Sequence, residues 1–123
     1  MQQIESHIQR ACVAWFRWQY PQIEPLFFAV PNGGKRSIKT AVTMRDEGVR
    51  AGVADLILLV PRHGYASLCI EMKTKNGRQS DAQKLFQVKA EKYGNKYVVC
   101  RSFDEFREII QEYLNNDGKN RII

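Results

Sequence analysis

Apolar residues recur three and four apart at the start of the chain. Ile4, Ile8, Ala11, Cys12 and Trp15 share one face, so residues 3–18 read as an amphipathic helix that Tyr20-Pro21 ends. Leu26-Phe27-Phe28-Ala29-Val30 is a short apolar run rich in aromatics, the pattern of a strand, halted by Pro31-Asn32-Gly33-Gly34. Ser37 can cap a helix running to Glu47, with Gly48 beyond its end. Asp55 to Val60 and Leu68 to Lys73 read as two strands of a hairpin joined through Pro61-Arg62-His63-Gly64-Tyr65. The first carries Leu56 and Leu58 on one face and Ile57 and Leu59 on the other, as a central strand covered on both sides should. Asn76-Gly77 makes a turn. Ser80-Asp81-Ala82-Gln83 then opens a helix to about Tyr93, closed by Gly94. Lys96 to Cys100 is a fourth strand, and Ser102-Phe103-Asp104-Glu105 starts a last helix reaching Leu114. The order α-β-α-β-β-α-β-α predicts an α/β fold, a central mixed sheet flanked by helices.

Composition narrows this picture. With 123 residues, 44% apolar and 26% charged, residues 1–123 are expected to form one ordinary domain, and disorder or a fibrous repeat is excluded. Cys12, Cys69 and Cys100 are odd in number and widely spaced, against a disulfide framework or a cysteine-based zinc site. The longest apolar run, Leu56 to Val60, is far too short to span a membrane, and the first residues lack a signal-peptide pattern. A reducing, cytoplasmic location is the expectation, in a bacterial or phage-infected cell.

The charge is more informative. The chain carries +6, and the excess is not spread evenly. Residues 31–50 net +3 and residues 73–101 net +6, whereas residues 51–72 between them net −1. Two basic blocks flanking an acidic, apolar centre suit either solvated faces or a rim that binds a polyanion's phosphates.

That centre holds the candidate chemistry. A turn centred on His63 pairs Asp55 with Glu71, and directly opposed residues have Cβ atoms about 5 Å apart, where like charges repel. Alternation sends Lys73 to the face of Glu71, while Ile70 and Met72 point away. Two carboxylates and an ammonium therefore converge at one end of an apolar hairpin. Oxygen ligands so placed suit Mg²⁺ or Mn²⁺, and a lysine beside them can orient water or neutralise charge on a phosphate. The plainer reading is a strand-end salt bridge of Lys73 with Asp55 or Glu71, worth about 0–1 kcal/mol if exposed.

Asp55 followed by Glu71-Met72-Lys73 resembles the PD-(D/E)XK nuclease signature, with Ala54 in place of its proline. More narrowly, the chain resembles the VRR-NUC (virus-type replication-repair nuclease) family of that superfamily. The similar stretches are Glu5, Pro31 to Gly34, Gly48 to Asp55, Glu71 to Lys73, and Gly77-Arg78-Gln79-Ser80-Asp81-Ala82-Gln83. The resemblance implies a restriction-endonuclease-like fold and a Mg²⁺- or Mn²⁺-dependent DNA endonuclease. Asp55 and Glu71 would ligate metal together with the backbone carbonyl of Met72, and Lys73 would position or activate water. Glu5 would reach the metal through a water, and Gln83 would lie beside the cluster. DNA contacts would come from Asn32, Gly33, Gly34, Lys35 and Arg36, from Arg50, and from Lys75, Arg78 and Ser80. Small members resemble Holliday-junction resolvases in forming homodimers, so branched DNA and a second copy of the chain are the expected partners, in a role such as DNA repair.

Other readings stay open beside this one. Ser80-x-x-Gln83 is also a capping box, which would account for Gln83 without chemistry. Asn32-Gly33-Gly34 is first a turn, and Lys35 followed by Arg36 does not make a Walker loop. Gly52 can allow a close backbone approach. His7 reads as a helix flank, His63 as a turn residue, and Trp15, Phe16, Trp18 and Tyr20 as core or subunit interface. A non-catalytic DNA-binding module, or a flap-directed or nonspecific nuclease, would use the same residues.

Overall fold

The computed structural model describes residues 3–31 and 38–115. Among the described residues four helices and four strands form in the expected order: α1 (Gln3–Gln19), β1 (Phe27–Ala29), α2 (Ile38–Asp46), β2 (Leu56–Leu58), β3 (Leu68–Met72), α3 (Asp81–Lys92), β4 (Lys96–Cys100) and α4 (Phe103–Asn115). A short 3₁₀ turn, Glu24–Leu26, leads into β1. The strands stand in the order β1-β2-β3-β4, with β1, β2 and β3 antiparallel and β4 parallel to β3. The parallel pair requires a crossover, and α3 supplies it.

Alternation along the strands divides the sheet into two faces. Phe27, Leu56, Leu58, Leu68, Ile70, Met72 and Cys100 point to one side, where Cys12 and Phe16 of α1 and Phe106, Ile110 and Leu114 of α4 close the main core. Ala54, Cys69 and Tyr97 face the other side with Ile57 and Val99, beneath Phe86 of α3. The three cysteines are buried and free, and burial pushes the Cys12 thiol up to about 12 and the Cys100 thiol up to about 11. Among the described residues, no helix is long and apolar enough to cross a membrane.

One expectation needs correction, and two gain detail. The run from Asp55 to Val60 is not covered on both faces: Leu59, just past β2, is 50% exposed. α3 packs over β3 and β4, leaving a cleft of about 760 Å³ lined in part by Ile57, Cys69, Leu85 and Phe86. Of the two readings for Trp18, core or subunit interface, the first does not hold: Trp18 is 85% exposed, and Trp15, one turn earlier, takes the inward position. Trp15 meets Tyr20, Phe103 and Phe106 edge to face at ring separations of 5.8–6.4 Å. His63 does more than turn the chain. At φ 54° its Nε2 lies 3.2 and 3.1 Å from the carbonyl oxygens of Glu112 and Tyr113 in the last turn of α4.

The strands at the site are shorter than expected, but the backbone pairing extends past them. The N–H of Val30 donates to the Asp55 carbonyl at 2.9 Å, and that of Leu59 to the Leu26 carbonyl at 3.0 Å. Asp55 is thereby fixed at the mouth of the sheet.

Candidate functional site

The β2–β3 register pairs Leu56 with Ile70 and Leu58 with Leu68, so one further step brings Asp55 opposite Glu71. Oδ2 of Asp55 accepts the backbone N–H of Met72 at 2.6 Å, where the ladder has run out of main-chain partners. Burial pushes the Asp55 carboxyl above its usual range, against the lowering effect of the Met72 N–H. The negative charges of Glu71 and Glu5 raise it further, and Lys73 lowers it. Glu5, in the first turn of α1, is therefore within electrostatic reach of the site.

Glu71 is completely buried. Its Oε1 accepts from the Gln79 amide at 3.0 Å and from the Tyr97 hydroxyl. Its Oε2 has no hydrogen-bond partner among the described residues and faces the Lys73 ammonium at 3.6 Å. Lys73 is itself only 15% exposed, so this is not the exposed ion pair of the plainer sequence reading. A buried carboxylate with one oxygen lacking a donor is costly, and apolar packing gives no reason to keep it. A divalent cation would supply what Oε2 lacks and relieve the repulsion between Asp55 and Glu71.

The donor set suits a hard cation only in part. Among the described residues, no three His, Cys, Asp or Glu side chains come together as a metal cage. Two carboxylates with backbone and solvent oxygens are what Mg²⁺ and Mn²⁺ commonly take, since these ions keep several waters. The orphaned Oε2 of Glu71 is the observation that fits.

The remaining candidates fall in different places. Gln83 forms the capping box of α3: its side-chain oxygen accepts the N–H of Ser80 at 2.8 Å, and its own N–H donates to the Ser80 hydroxyl at 3.2 Å. Arg50, Lys75, Arg78 and Ser80 are exposed at the surface. Asn32, Gly33, Gly34, Lys35 and Arg36 lie outside the described residues. Gly52, at φ 83°, passes so near the first turn of α3 that an added Cβ would sit 2.5 Å from the Ala82 carbonyl oxygen. This contact seats the loop before Asp55 on the helix that follows the Glu71–Lys73 strand.

Three residues at the site escaped the sequence reading. Gln79 lies within the last matching stretch yet carried no signal of its own. Tyr97 reaches Glu71 only because β4 runs parallel to β3, with Cys69 beside Tyr97 and Glu71 beside Val99. Arg101, counted as part of a basic block, turns its guanidinium inward. Its Nη1 donates to the carbonyls of Thr74, Lys75 and Gly77 at 2.8, 3.3 and 2.7 Å, pinning the loop after Lys73.

The VRR-NUC domain model matches residues 3–104, a span that holds Asp55, the Glu71–Lys73 strand and the capping box of α3. The chain belongs to the VRR-NUC domain family. A solved structure described as a VRR_NUC domain protein superposes with a TM-score of 0.80 at 26% identity, covering 96% of each chain. Among curated proteins, none matches. The VRR-NUC domain is a nuclease-type domain, and its mixed four-stranded sheet between helices agrees with a PD-(D/E)XK-like α/β fold.

Proposed function

We propose that this VRR-NUC domain is a Mg²⁺- or Mn²⁺-dependent endonuclease that hydrolyses DNA phosphodiester bonds. The observation that carries the reading is the buried Oε2 of Glu71, without a hydrogen-bond donor among the described residues, beside Lys73 and opposite Asp55. Asp55 and Glu71 would hold the cation, with the Met72 carbonyl as a further oxygen and Glu5 reaching it through water. When bound, the cation supplies an acidic water and a positive charge against the scissile phosphate. Lys73 has the position to orient that water and to offset charge building on the phosphate oxygens. Asp55, already partnered by the Met72 N–H, stays fixed while the substrate is bound. Gln83 contributes by closing the first turn of α3, which holds Gln79 and the loop after Lys73 in place. Arg50, Lys75, Arg78 and Ser80, together with Asn32 to Arg36, are the groups we assign to the DNA backbone, whose phosphates the acidic site would otherwise repel.

The finer reading is a homodimer acting on branched DNA, in the manner of a junction resolvase, since two sites related by a dyad match a symmetric four-way substrate. Cleavage of flap, fork, four-way and linear DNA, with Mn²⁺ and with chelator, tests both levels. Metal-dependent cutting that favours four-way DNA, by a species of twice the chain mass, is expected. Cutting of flaps or linear DNA by a monomer would remove the resolvase reading alone. Tight binding with no metal-dependent cleavage of any substrate would leave a DNA-binding module.

A further inference from the structure

Glu71 is held by two residues that supply no charge and stand outside the acidic pair. We propose that Tyr97 and Gln79 are positioning residues that set which divalent cation the site accepts, an inference that rests on the metal-binding reading above. A carboxylate oxygen offers two in-plane lone-pair directions. On Oε1 of Glu71 one is taken by the Gln79 amide and the other by the Tyr97 hydroxyl. The second amide hydrogen of Gln79 goes to Oε1 of Gln87 at 2.8 Å, and Gln87 donates in turn to Oε2 of Glu91 at 3.3 Å. Flipping the Gln79 amide would therefore set its oxygen against two acceptors. The Tyr97 ring is buried against Phe86, with centroids 6.0 Å apart, so its hydroxyl has little freedom to leave.

The carboxylate is locked from one side, and Oε2, facing only the Lys73 ammonium at 3.6 Å, has no hydrogen-bond donor among the described residues. Glu71 thus offers a cation one oxygen and withholds the other. Mg²⁺ demands a compact octahedral shell and binds carboxylates well through single oxygens. Ca²⁺ gathers six to eight oxygens and gains from two-oxygen contacts. By occupying Oε1, Tyr97 and Gln79 favour the smaller ion.

Calorimetric titration of the full chain with Mg²⁺, Mn²⁺ or Ca²⁺ alone tests this in the unmodified protein, Tyr97→Phe, Gln79→Met and the double variant. Tyr97→Phe keeps the ring and removes only the hydroxyl; Gln79→Met keeps length and removes the amide. The double variant should bind Mg²⁺ about 10-fold more weakly while Ca²⁺ binding holds or tightens. A merely structural role would weaken all three ions alike, and an unchanged Mg²⁺-to-Ca²⁺ affinity ratio overturns the proposal. Should the double variant fail to give a cooperative melt, the single variants decide by the same ratio. Asp55→Asn, losing the binding heat, identifies the site being read. If the unmodified protein binds none of the three ions, the metal-binding reading fails, and this inference with it.

Discussion

Oδ2 of Asp55 accepts the backbone N–H of Met72 at 2.6 Å, tying one carboxylate of the acidic pair to the strand that carries the other. The bond makes Asp55 a structural acceptor as well as a proposed metal ligand. It also means that the two roles can be separated.

Asp55→Asn keeps an oxygen that can accept the Met72 N–H and removes the charge. Cleavage should fall by about 100-fold or more, while the fold persists. In metal-free protein the difference should also show in pH dependence. Burial holds the Asp55 carboxyl above the usual carboxylate range, so through that interval the folded chain retains a proton the unfolded chain has lost. Stability contributed at this position therefore falls as pH rises. Denaturant melts from about pH 4 to 7 should show the stability of the native chain dropping relative to Asp55→Asn. A difference that stays flat or rises would count against the assigned environment.

Gly52→Ala places a methyl 2.5 Å from the Ala82 carbonyl oxygen at a left-handed φ of 83°. The backbone penalty and the clash together predict a loss of about 2–4 kcal/mol. A denaturant midpoint close to that of the unmodified chain would show that the loop and α3 can part without cost.

Arg101→Ala removes a guanidinium donating to three carbonyls of the loop after Lys73. Stability should drop by about 1–3 kcal/mol and cleavage should fall with it. Because this charge is turned into the protein, metal-free DNA affinity should stay within about twofold. Loss of affinity comparable to that of Arg78→Ala, whose side chain is at the surface, would place Arg101 on the DNA instead.

The element order and the acidic cluster were legible along the chain because both follow from short-range rules. Alternation assigns faces, and a turn centred on His63 sets the register that the Leu56–Ile70 and Leu58–Leu68 pairs display. The capping box at Ser80 and Gln83 is local too, and it forms as its spacing requires. What surrounds Glu71 could not be read this way. Tyr97 is 26 positions from Glu71, and only the parallel pairing across α3 brings its hydroxyl to Oε1. Arg101 looked like one more surface cation until the end of β4 set it beside the loop after β3. Strand alternation alone would cover Leu59, and Trp18 reads as core or subunit interface, but α3 covers only part of the sheet, and Trp15 takes the inward position on α1. Local pattern specifies which side chains share a face. The crossing of distant elements decides which of them are covered, which donors they meet, and which oxygen of Glu71 is left without a hydrogen-bond donor among the described residues.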